Sequence, residues 1–128
     1  MTQATLGLDW TNKRTRKREF LEEMGRVVPW AALVALIEPH SARAKTGRPP
    51  FPIETMLRIH FMQNLFTFGD QAMEEALIDT PLYREFARLN VDADRMPDAI
   101  TILRFRHPLE RHGLALQMFA TVNEFLAG

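Results

Sequence analysis

The sequence predicts an all-α, single-domain protein of about six helices, with a helix-turn-helix-like unit over residues 70–112. Three observations carry this. No segment sustains the period-two alternation of a half-buried strand. Apolar residues recur instead at helical spacing along nearly the whole chain. Helix start and stop signals (Thr80-Pro81, Pro97-Asp98, Gly113) divide that pattern. With 128 residues, 46% of them apolar, the chain can build one real core but not comfortably two.

Residues 1–14 read as a flexible basic arm and 15–128 as the helical domain. The run Lys13, Arg14, Arg16, Lys17 and Arg18 places five positive charges in six residues. Such a run suits DNA phosphates. The competing reading is a solvated helix start, partly neutralised by Glu19, Glu22 and Glu23. Phe20, Leu21, Met24, Val27 and Val28 then form a short amphipathic helix. Pro29 interrupts it, and Trp30, Leu33, Val34, Leu36 and Ile37 resume the spacing. The loop from Pro39 to Pro50 holds Arg43, Lys45 and Arg48, a second set of candidate phosphate contacts or a plain solvated connection.

The core is expected around the next segment. Pro49, Pro50 and Pro52 keep the entry extended, and Pro52 can serve as a first helical residue. Ile53, Met56, Leu57, Phe61, Leu65 and Phe68 follow helical spacing, and Ile59, Met62 and Phe66 add a second stripe. A helix apolar on most of its circumference is normally buried among neighbours. Glu54, Arg58, Gln63 and Asn64 break it too often for a membrane span. His60 reads as a hydrogen-bonded core histidine.

Asp70 opens another helix with Met73, Ala76 and Leu77 inward. Thr80 caps the following one through its hydroxyl, with Leu82, Tyr83, Phe86 and Leu89 behind it. Glu74, Glu75 and Asp79 read as a solvated acidic face, without the oxygen-rich loop of a calcium site. After a polar turn, Asp98 caps a helix expected to reach about His112, with a kink or early end near His107 because of Pro108. Ile102, Phe105 and Leu109 share one side of it. Thr101, Arg104 and Arg111 share the other, with His107 at its edge. That division fits a recognition helix, in which arginine pairs with guanine edges and threonine meets bases or a thymine methyl. It also fits an ordinary surface helix. Leu114, Met118, Val122 and Phe125 define the last amphipathic helix.

Charge is polarised although the total is zero. Residues 1–48 carry nine Lys/Arg against five Asp/Glu, and the remainder seven against eleven. Cysteine is absent, which excludes disulfides and thiolate metal sites. No signal-peptide run precedes the domain, so the cytoplasm is the default expectation. His107 and His112 are five apart, the wrong spacing for a metal pair on one helical face. There is no glycine-rich phosphate loop and no nucleophile in a recognisable setting.

Four strings together resemble a known family: VVPWAALVALIEPH, GRPPFPIETMLRIHFMQNLF, DQAMEEALIDTPLYREFARL and PDAITILRFRHPLERHGL. They are similar to the N-terminal domain of bacterial insertion-sequence transposases of the insertion sequence five family, InsH type. The resemblance implies binding of double-stranded DNA at the element's terminal inverted repeats. It implies that the catalytic RNase-H-like domain, with its metal-binding Asp-Asp-Glu triad, is absent here. No acidic residue of this chain matches that triad, so neither catalysis nor a cofactor is expected of this chain, and divalent metal only of the missing domain. A second copy, or full-length transposase, is the expected protein partner. The alternative function is a protein-interaction module that interferes with the full-length enzyme. Two residues depart from the family pattern: Pro108 stands where leucine is usual, and Gly69 where serine is frequent.

Overall fold

A computed structural model describes residues 15–40, 51–89 and 95–127. Among these there are seven α-helices, one 3₁₀ turn and no strand. They are α1 (Arg16–Val27), α2 (Trp30–Ile37), α3 (Ile53–Phe66), α4 (Asp70–Asp79), α5 (Pro81–Ala87), α6 (Ala99–Arg111) and α7 (Leu114–Ala127), with the 3₁₀ turn at Glu38–His40. The all-α class is as expected. The count exceeds six because Pro29 ends α1 and starts α2 as a separate helix, where the sequence showed one interrupted pattern.

Helix α3 is the hub, packed against α2, α4, α5 and α6. Met56, Leu57, Ile59 and Met62 are buried, three of them completely. Burying a side chain of this size contributes about 1.5–3 kcal/mol, so this one helix anchors much of the core. Pro52 sits one residue earlier than expected, as N-cap rather than first helical residue. The core also takes Leu21 from α1, Leu33 and Ile37 from α2, Met73 and Leu77 from α4, and Ile102 and Leu109 from α6. Phe20, expected inside with Leu21, is 44% exposed instead. It lies beside the Leu21–Met24–Val28 face of α1, not on it.

Helix ends show which local signals act. Thr15 caps α1 by accepting from the amide of Arg18 at 3.1 Å. Asp98 caps α6 by accepting from the amide of Thr101 at 2.8 Å. Thr80 is the N-cap of α5, but its side chain makes no capping bond; its carbonyl accepts from the amide of Tyr83 instead. Gly113 turns α6 into α7 at φ +63°, a conformation glycine adopts without a Cβ clash. Helix α6 does not stop near His107. It continues through Pro108 to Arg111, and the amide of His112 donates to the carbonyl of Pro108. Packing of Leu109 in the core holds the helix together across the proline. Among the described residues no helix is long and apolar enough to cross a membrane.

Candidate nucleic-acid interface

Helix α6 divides as the spacing indicates. Ile102 and Leu109 are buried and Phe105 is half-buried, whereas Arg104, His107 and Arg111 are exposed and Thr101 is half-buried. One residue on the outward side escaped the sequence reading. Ile100 is 59% exposed, and helical spacing places it between Arg104 and His107. An apolar side chain there can meet a thymine methyl. Only its position off the inner stripe signals this in the sequence.

Three contacts besides the core fix the helix. Asp98 caps its first turn. The carboxylate of Glu74 on α4 accepts from the amide of Ala99 at 2.9 Å, a second cap supplied from another helix. Glu74 therefore belongs to the frame of α6, not to a purely solvated face. Arg106 binds Asp70 at the start of α4 through both guanidinium ends, with Nη2 to Oδ2 at 3.0 Å. The Asp70 carboxylate also accepts from the Gln63 amide of α3 at 2.9 Å. The Arg106 bond, ahead of the other causes, holds the Asp70 carboxyl below its ordinary range. Residues 88–98 separate α5 from α6, more than the three or four residues of a helix-turn-helix turn. The support for α6 comes from α4.

The described part of the basic run is not one open surface. Arg16, Lys17 and Arg18 lie in the first turn of α1, inside the helical domain, while Lys13 and Arg14 fall outside the described residues. Arg16 is exposed. Lys17 donates to the Tyr83 hydroxyl at 2.7 Å and stands 5.0 Å over the Phe66 ring. Arg18 holds Glu85 at 2.8 Å and 3.4 Å. Two of the three thus tie α1 to α5. Arg43, Lys45 and Arg48 also lie outside the described residues.

The histidines take separate parts. His112 pairs with His40, ring centroids 4.5 Å apart, and not with His107. His60 is half-buried. Asn64 donates to its Nε2 region at 3.2 Å, and its buried Nδ1 has no partner. Burial first, and the charge of Arg106 second, hold the His60 imidazole below its usual value. As pH falls below about 6.5 the unfolded chain takes up this proton before the folded chain does, so stability drops. A second drop follows below about pH 4, where Asp70, Glu85 and Asp98, all held low in the folded chain, must be protonated. Urea midpoints across pH 7.5 to 3 should show both steps, given approximately by these ordinary values. His60→Leu should abolish the first and keep the second; a first step that survives the substitution belongs to another group.

Among the described residues no three His, Asp or Glu side chains group as metal ligands would. A family model described as a transposase domain (DUF772) matches residues 9–108. No solved structure matches the chain.

Proposed function

The chain belongs to the DUF772 transposase-domain family, and from that membership we propose that it is the DNA-binding N-terminal domain of an insertion-sequence transposase. The insertion sequence five family, InsH type, is the finer assignment, and the terminal inverted repeat of the element is the ligand. The observation that carries the reading is α6. It is capped twice and clamped once, and it turns Arg104, His107 and Arg111 to solvent opposite a buried apolar side.

The roles divide by chemistry. Arg104 and Arg111 supply paired donors for guanine, and Thr101, His107 and Ile100 fill in around them. Arg16 contacts phosphate, as do Lys13, Arg14, Arg43, Lys45 and Arg48 on the same reading. Lys17 keeps donors for phosphate beyond the one held by Tyr83, whereas Arg18 must exchange its Glu85 partner to reach phosphate. Strand cutting and joining, with its divalent metal, falls to an RNase-H-like domain and to no residue of this chain. An interaction module is the second reading; the exposed Leu116 and Phe119 of α7 favour it.

The test is binding of the chain to a duplex carrying the terminal repeat and to a random duplex across a salt series. On this reading both affinities fall steeply with salt, and the terminal repeat binds at least about tenfold more tightly at each concentration. Equal affinity for the two duplexes would leave only a nonspecific phosphate surface. No binding at low salt would hand the lead to the interaction module.

A further inference from the structure

Among its described side chains, helix α7 is covered on one side only. Leu114 and Met118 are buried, but Leu116 is 80% and Phe119 68% exposed. At about 100° per residue, the apolar arc runs from Leu114 through Val122 and Phe119 to Ala120, broken only by Asn123. Gln117, Thr121 and Glu124 fill the remainder, and Glu124 is the one charged residue in the helix. A helix so widely apolar normally has a partner on more than one side.

A groove of about 400 Å³ lies next to that exposed side. Met24 of α1, Phe61 and Leu65 of α3, and Met118 and Val122 of α7 wall it, with His60 and Asn64 as its polar members. Phe119 lines the groove and still stands largely in solvent. Projection and hollow therefore occupy a single patch.

We propose that this patch pairs two copies of the chain about a two-fold axis, Phe119 of each seated in the groove of the other. The inference does not rest on the DNA-binding reading. Three points select a second copy over another apolar partner. An isologous contact requires a surface complementary to itself, and a projection beside a hollow of matching character provides that. The groove wall contains no Lys, Arg, Asp or Glu, so nothing in it selects a charged partner and two copies meet without like-charge repulsion. The extent also fits. Helix α7 has 14 residues, a length of about 21 Å. Pairing two such helices over their grooves buries on the order of 1,000 Å² in all, the lower edge of a specific interface. The dimer is accordingly reversible and concentration-dependent.

Sedimentation velocity on the full chain, from about 1 to about 200 μM, reads the equilibrium. The wild-type chain should shift from monomer toward dimer across that range. Phe119→Glu and Leu116→Glu, each at an exposed site and each checked for unchanged helix content, should weaken the dimer at least about tenfold by placing a charge in the apolar contact. Ile78→Glu, at another exposed apolar residue on α4, should leave it unchanged. A wild-type chain that stays monomeric throughout overturns the proposal. So does a dimer indifferent to Phe119→Glu, or one dispersed equally by Ile78→Glu.

Discussion

Arg58→Ala should cost about 3–5 kcal/mol of folding stability, from a large-to-small change in the core together with one buried carbonyl left without a partner. Arg58 is 3% exposed in the middle of the central helix. Its Nε donates to Glu54 at 2.9 Å, and its Nη1 donates to the carbonyl of Phe86 at 3.1 Å. Nη2 lies 2.9 Å from the same Glu54 oxygen but out of line for a hydrogen bond. The guanidinium also faces the rings of Trp30 at 4.5 Å and Phe86 at 5.2 Å. Alanine would leave the Phe86 carbonyl unpaired and a void between two aromatic rings. Glu54 would suffer less, because it is partly exposed and Arg88 stands 3.5 Å away. The main loss is thus packing and the stranded carbonyl. Arg58→Met, which refills the space without the charge, should recover part of it. Urea unfolding of the three proteins decides this. An alanine variant within about 1 kcal/mol of wild type would show that the guanidinium is incidental to the core.

Pro108→Leu acts in the opposite direction and should raise stability by about 1–3 kcal/mol. The helix continues on both sides of Pro108. The proline therefore sits in an interior turn, where it has no amide for the carbonyl of Arg104 and its ring crowds that carbonyl. Leucine restores the bond and removes the contact. An unchanged or lowered urea midpoint would mean that the core around Leu109 and Leu114 is shaped to the proline. The substitution also bears on binding, because Pro108 lies between Arg104 and Arg111 and sets one relative to the other.

What the sequence made legible was local. The three prolines before a doubly striped segment marked α3, and the Asp98 cap followed by alternating sides marked α6. What escaped it was set by partners far along the chain. Lys17 and Arg18 read as open charges because Tyr83 and Glu85 are 66 and 67 residues away. Arg58 read as a break in an apolar stripe, since nothing adjacent announces Trp30 and Phe86 as its cover. Glu74 read as solvated because the amide it caps is 25 residues distant. Thr80 had the right position and residue type for a cap, yet its hydroxyl makes no such bond. Capping preference is a statement about what a side chain can do, and position alone did not decide it.

The proposed role of α6 as the reader of DNA is tested most directly by Arg104→Ala. The measurement is the ratio of affinities for the terminal repeat and a random duplex at fixed salt. A good bidentate contact discriminates by about 1–3 kcal/mol, so the alanine variant should lose roughly fivefold or more of the wild-type ratio. Its affinity for the random duplex should fall much less. If the variant weakens both duplexes alike and the ratio stays at the wild-type value, Arg104 touches only phosphate and α6 is not the reader.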